Sequence, residues 1–126
     1  MLLNMLLVAA GGAAGSVCRY GATLLGTRLL GPAWPLGTFF VNVTGSFLMG
    51  VLVELLLRRL GGSDPLRLLL ATGFLGGYTT FSSFTLDAVS IWERGEGVAA
   101  LGYVLASVVL GVLAVIAGMV AVRQFA

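Results

Sequence analysis

The sequence predicts an all-α integral membrane protein with four transmembrane helices, the third of them broken at mid-membrane. Three observations carry that reading. Of 126 residues, 59% are hydrophobic and only 10% are charged, with a mean hydropathy of +1.07. Soluble domains carry about 25% charged residues, so a soluble fold is excluded, and a disordered chain with it. Four apolar stretches follow one another, each long enough for the ~20 residues a bilayer-spanning helix needs. Finally, polar and glycine residues interrupt only the third stretch in force.

The first stretch runs from about Leu2 to Leu25. It lacks a basic leader, and Val17 precedes Cys18 where a lipoprotein cleavage site needs a small residue, so it reads as a retained span and not as a signal peptide. The second runs from about Leu36 to Leu57 and is entered through Gly31-Pro32-Ala33-Trp34-Pro35, a turn signal with an interfacial tryptophan. Arg58, Arg59, Gly61, Gly62, Ser63 and Asp64 make a polar loop, and Pro65 suits the start of a helix. The third stretch covers about Leu66 to Ile91, and the fourth about Val98 to Val122. Together they form a single transmembrane domain over residues 1–126.

Composition also limits the chemistry. Histidine is absent and Cys18 is the lone cysteine, which excludes a His/Cys metal site and any Ser-His or Cys-His nucleophile pair. Seven arginines against five acids are dispersed along the chain, so no nucleic-acid patch exists. With four spans, Arg58, Arg59, Arg67 and Arg123 fall on one side, and Arg19, Arg28 and Arg94 on the other. That balance is a weak orientation signal. It leaves two readings open: a poorly marked single orientation, or insertion both ways up with antiparallel pairing.

Small residues recur at helix-packing spacing: Gly11/Gly15, Gly73/Gly77, Ser46/Gly50, Ser107/Gly111 and Ala114/Gly118. Such pairs let backbones approach closely inside lipid. The functional information lies in polar groups at membrane depth, where each must find a partner. Thr38, Asn42 and Ser46 recur every fourth residue and share one face of the second span. Tyr103, Ser107 and Gly111 do the same on the fourth. Interhelical hydrogen bonding is the ordinary explanation of such residues, and a buried carboxamide such as Asn42 strains it most.

The strongest signal is Gly73-Phe74-Leu75-Gly76-Gly77-Tyr78-Thr79-Thr80-Phe81-Ser82-Ser83-Phe84. Glycine costs a helix about 1 kcal/mol relative to alanine, and Ser and Thr compete for backbone groups. A break here frees N–H and C=O groups, tolerated in a membrane only where they are buried in protein or line a cavity or ion site. The alternative is a glycine-kinked helix packed closely on a neighbour. Phe81 and Phe84 lie three residues apart on one face. An aromatic ring carries a positive edge, so two ring edges among Thr79, Thr80, Ser82 and Ser83 suit an anion path, while ordinary apolar packing is the competing explanation. Arg19 reads as either an interfacial anchor or an attractor of anions. Asp87, one turn beyond Phe84, reads as an arginine partner, a water-binding group at a pore mouth or an interface marker. Glu54 and Arg58 form an i,i+4 pair and read as anchoring.

Three motifs in order resemble the small four-span fluoride channels of the Fluc family, also known as CrcB. They are Gly12-Ala13-Ala14-Gly15-Ser16-Val17-Cys18-Arg19-Tyr20, Gly37-Thr38-Phe39-Phe40-Val41-Asn42-Val43-Thr44-Gly45-Ser46-Phe47, and the run from Gly73 to Phe84. The resemblance implies an antiparallel, dual-topology homodimer in the cell inner membrane, with two pores that export fluoride passively. It implies that Phe81 and Phe84 line the pores and that Asn42 contacts the ion. Thr38, Thr80, Ser82, Ser83, Tyr103 and Ser107 would form a polar track, with Arg19 at the aqueous vestibule. It further implies a structural sodium ion held by the backbone carbonyls of Gly76 and Thr79. Two other classes fit four short spans. A small multidrug exporter would need a carboxylate in its first span, and this first span has none. A non-transporting structural membrane protein would give no ion flux.

Overall fold

The computed structural model describes residues 1–125, and the secondary structure it describes is helical. Helix α1 spans Leu2–Leu30 and α2 spans Leu36–Arg58. A short α3, Asp64–Leu66, is capped by the Ser63 side chain and leads into a π-helical segment, Arg67–Leu75. One further α-turn, α4, covers Gly76–Tyr78. Helix α5 spans Phe81–Glu93 and α6 spans Gly97–Phe125. Helix α1 continues past Leu25 through Thr27 and Arg28 and ends where Gly31 takes φ 86°, a value that suits glycine.

Helices α1, α2 and α6 are each long and apolar enough to cross a membrane. Much of their surface is apolar and exposed, including Val17, Leu48, Leu101, Val109 and Leu113. In water such a surface would aggregate; in a bilayer it faces solvent of its own kind. The protein is therefore a membrane protein built of apolar helices.

Two seams hold the helices together. In the first, α1 lies against the π-helical segment and α4. A Cβ on Gly11 would strike the backbone of Leu69, Phe74 and Gly73, and one on Gly15 would strike Phe74 and Tyr78. Gly73 and Gly77 answer from the other side, facing Gly11 and Gly12. In the second seam, α2 packs along α6. There Gly50 faces the backbone of Val115 and Met119, and Gly118 faces Phe47 and Val51. Both contacts are backbone to backbone, the geometry that small-residue spacing permits in lipid. Helix α5 completes the bundle by packing on α6. Arg94 donates to the Ala33 carbonyl at 3.0 Å and ties the α5–α6 turn to the α1–α2 turn.

Candidate functional site

The third apolar stretch is where the chain leaves regular helix. Thr79 (φ −87°, ψ 159°) and Thr80 (φ −153°, ψ 119°) are extended, between α4 and α5. The glycines are not the extended residues. Gly76 and Gly77 stay helical, and a Cβ on Gly77 would run into the Gly12 carbonyl and Ser16, so that glycine serves close packing.

Three polar groups satisfy the ends of the interruption. Asn42 on α2 binds Thr80 twice: its Nδ2 donates to the Thr80 carbonyl at 3.0 Å, and its Oδ1 accepts from the Thr80 N–H at 2.8 Å. A carboxamide offers one acceptor oxygen and two N–H donors, so one N–H of Asn42 remains for another partner. Arg19 Nε donates to the Gly77 carbonyl at 2.9 Å. The Thr80 hydroxyl accepts from the Ser83 N–H at 3.2 Å and caps α5. The Thr80 N–H is thus committed to Asn42, not to the Gly76 carbonyl that a continuous α-helix would give it.

The interruption opens onto a cleft of about 320 Å³ between α2, α5 and α6. Asn42, Ser46, Thr79, Thr80, Phe81, Phe84 and Ser107 all line it. None of its lining residues is charged. The Ser46 hydroxyl donates to the Asn42 carbonyl of its own helix at 2.7 Å. The Ser107 hydroxyl oxygen is buried and has no hydrogen-bond partner among the described residues. Burying a hydroxyl without a partner is costly.

Three rings continue from the cleft. Phe81 and Phe84 sit 5.7 Å apart at 51°, and Phe84 and Tyr103 sit 5.4 Å apart at 46°. Phe84 is 7% exposed, whereas Phe81 is 76% exposed. Beyond Phe84, the Tyr103 hydroxyl donates to Asp87 at 3.4 Å. Asp87 and Thr38 line a second cleft of about 250 Å³, bounded by the α1–α2 turn and Arg94.

The sequence-derived residues therefore divide. Asn42, Thr80, Phe81, Phe84 and Ser107 share the first cleft. Thr38 belongs to the second, although it shares a helix face with Asn42, and Tyr103 bridges towards it through Asp87. Ser82 and Ser83 line neither: the Ser82 hydroxyl lies 3.4 Å from that of Thr80, and Ser83 gives its N–H to the same residue. Arg19 lies on the α1 side, on the Gly77 carbonyl. Sequence reasoning missed Met49, Val108 and Val115, the apolar part of the cleft wall, and the Thr44 hydroxyl 2.9 Å from the Tyr78 hydroxyl. Nothing in the residue types separates such wall residues from lipid-facing ones.

The family model described as "CrcB-like protein, Camphor Resistance (CrcB)" matches residues 6–119. The chain belongs to the CrcB family. Similarity to CrcB-family proteins extends over nearly the whole length. A Rhizobium etli (strain CIAT 652) protein named "Fluoride-specific ion channel FluC" is 54% identical over 125 residues, 99% of this chain and 100% of the relative. Proteins of the same name from Agrobacterium fabrum (strain C58) and Paracoccus denitrificans (strain Pd 1222) are 55% and 54% identical. They align over 94% and 92% of this chain, and over 94% and 91% of their own lengths. The match covers the Asn42 face of α2, the interruption at Thr79 and Thr80, and both clefts.

Proposed function

We propose that this chain is a fluoride-selective channel of the inner (plasma) membrane, through which fluoride leaves the cytoplasm passively. The observation that carries the reading is the uncharged cleft in which Asn42, Thr80 and Ser107 meet the rings of Phe81 and Phe84. The relatives' shared name supports the same reading. Fluoride is small and strongly hydrated, so a path must replace its water with many donors. Neutral amide and hydroxyl groups do so without the tight hold of a fixed cation, which would slow release. Electropositive ring edges carry the ion between donors. Fluoride that enters as neutral hydrogen fluoride in acid conditions ionises inside, and a passive exit then suffices.

In this proposal the segment from Asp64 to Glu93 makes the third of four crossings, with its interruption at mid-membrane. The working unit is an antiparallel, dual-topology homodimer with two pores. Exposed Phe81 supports it: one chain leaves half of the aromatic pair open, and a second copy would enclose it. Thr38 and Tyr103 extend the polar track towards the Asp87 cleft, Ser82 and Ser83 flank it, and Arg19 holds the Gly77 carbonyl at the start of the interruption. The freed Gly76 carbonyl and the extended Thr79 suit a hard, oxygen-ligated cation at the dimer centre, which we assign as structural sodium.

Fluoride efflux from liposomes holding the purified protein, with chloride as control, tests the function. Fluoride flux well above that of empty vesicles and above chloride flux is expected; flux equal to that of empty vesicles overturns the proposal. Replacing sodium by a bulky organic cation in the same assay should abolish flux if the Gly76/Thr79 site is real. Labelling of a cysteine placed at the carboxyl terminus in a Cys18-free background should reach both membrane faces, and one-sided labelling would refute dual topology.

A further inference from the structure

The far end of the α2/α6 seam carries a charge cluster that the fluoride path does not use. The Glu54 carboxylate is 5% exposed. Arg58 Nε donates to its Oε1 at 2.7 Å, while Arg123 donates Nε to Oε1 at 2.9 Å and Nη2 to Oε2 at 3.2 Å. Both arginine side chains are 48% exposed. Glu54 therefore occupies only part of each guanidinium's donor set and leaves the rest facing outward. One carboxylate against two arginines leaves an excess of positive charge.

Position gives the cluster its meaning. Arg58 is the last residue of α2, and Arg123 stands in the last turn of α6. Two spanning helices end there together, at the level where hydrocarbon gives way to headgroups. Beside the cluster an apolar groove of about 330 Å³ runs between the same two helices. Val51, Leu55, Ala121, Val122 and Phe125 line it, and Arg59 is the charged residue of its wall. An apolar groove on the seam that carries this cluster complements an amphiphile with an anionic head.

We propose that this end of the α2/α6 seam binds an anionic phospholipid, with its phosphate on Arg58 and Arg123 and one acyl chain in the groove. The buried carboxylate distinguishes the site from a loose interfacial arginine. Glu54 holds both guanidinium groups in place before the lipid arrives, so little side-chain freedom is lost on binding. The net positive charge selects an anionic over a zwitterionic headgroup. This inference requires only that α2 and α6 cross a bilayer, and it stands independently of fluoride conduction.

Native mass spectrometry of the full-length protein in detergent tests it, with phosphatidylglycerol and phosphatidylcholine of equal chain length. Phosphatidylglycerol should be retained in preference. Arg58→Gln, which leaves Glu54 both of its bonds from Arg123, should lower that preference about fivefold, the effect of one basic side chain at a membrane surface. Arg67→Gln, whose guanidinium lies in the loop-side pair with Asp64, should leave it unchanged. Ala121→Phe, which fills the groove without touching the arginines, should weaken retention and keeps the test valid if Arg58→Gln fails to fold. Equal retention of the two lipids overturns the proposal. So does an equal loss in Arg67→Gln, undiminished retention in Ala121→Phe, or displacement of the lipid by millimolar inorganic phosphate.

Discussion

Asn42 and Glu54 lie on the same helix, twelve positions and about 18 Å apart along its axis, and both are polar groups in an apolar protein. Glu54 has both oxygens occupied by arginine donors. At Asn42 the carboxamide binds the N–H and the C=O of Thr80 and keeps one N–H in reserve, beside a serine hydroxyl with no partner among the described residues. The Glu54 end is closed and joins α2 to α6. The Asn42 end is open on its donor side. Polar groups that satisfy one another hold a membrane fold together, whereas donors left unsatisfied beside a cleft can take a ligand. Substitutions at the closed end should therefore read out as folding, and those at the open end as flux.

The largest effect is expected at the closed end. Arg58→Ala combined with Arg123→Ala strands the Glu54 carboxylate in apolar surroundings, and removal of the partners of a buried charge is strongly destabilising. Folded protein recovered by gel filtration should fall to a small fraction of normal, far out of proportion to any change in flux per folded molecule. Normal recovery would show that Glu54 reaches water, and would erase the contrast between the two ends.

Asn42→Asp sharpens the comparison at the open end. The acid still accepts from the Thr80 N–H but no longer donates to the Thr80 carbonyl. An unsatisfied buried acceptor costs about 1–3 kcal/mol, so thermal stability should drop. Fluoride flux per folded molecule should fall further still, because a carboxylate replaces a donor with a negative charge. Unchanged flux in the folded variant would reduce Asn42 to a clamp on Thr80.

Much of this architecture was legible in the sequence, and the reasons are local. Residues recurring every fourth position lie on one helix face, so the Asn42/Ser46 and Tyr103/Ser107 stripes were readable, as were Gly11/Gly15 and Gly73/Gly77 as close contacts. The Glu54–Arg58 pair was readable because its partners are i,i+4. Arg123, 69 residues from Glu54, was not, because a lone arginine at a span end looks the same whether or not a buried acid faces it. Nor was the π-helical turn of Arg67–Leu75, since widening a helix by one residue leaves no mark on composition. The division of Thr38 from Asn42 was hidden for another reason: a helix face is continuous, and residues distant in sequence decide which cleft each part of it meets, Phe84 beside Asn42 and Asp87 beside Thr38.

The two phenylalanines test whether burial and function separate within one motif. Phe84 is enclosed and touches both Phe81 and Tyr103, whereas Phe81 projects from the chain. Isoleucine keeps apolarity but removes the ring quadrupole. Phe84→Ile should cost about 1–3 kcal/mol through misfit in a packed site, together with flux. Phe81→Ile should cost less than about 0.5 kcal/mol, while flux falls in the same assay. Normal flux per folded molecule in both variants would return the pair to apolar packing.

No loss of stability, and the clearest separation of the two ends, is expected at Ser107. Its hydroxyl oxygen is buried without a partner among the described residues, so the folded protein bears a desolvation cost that no hydrogen bond among them offsets. Ser107→Ala deletes the hydroxyl and little else. Stability should stay level or rise by up to about 1 kcal/mol, the opposite sign to the loss at Glu54. If the hydroxyl donates to the passing anion, its removal withdraws a hydrogen bond to a charged group, and flux should drop by about tenfold. Ser46→Ala supplies the control on the facing helix, because the Ser46 hydroxyl is already spent on the Asn42 carbonyl and its loss should lower flux less. Melting temperature and liposome flux measured on the same preparations decide the matter. A fall in stability with unchanged flux would make Ser107 structural, and the open end of α2 would then be no more open than the end that Glu54 closes.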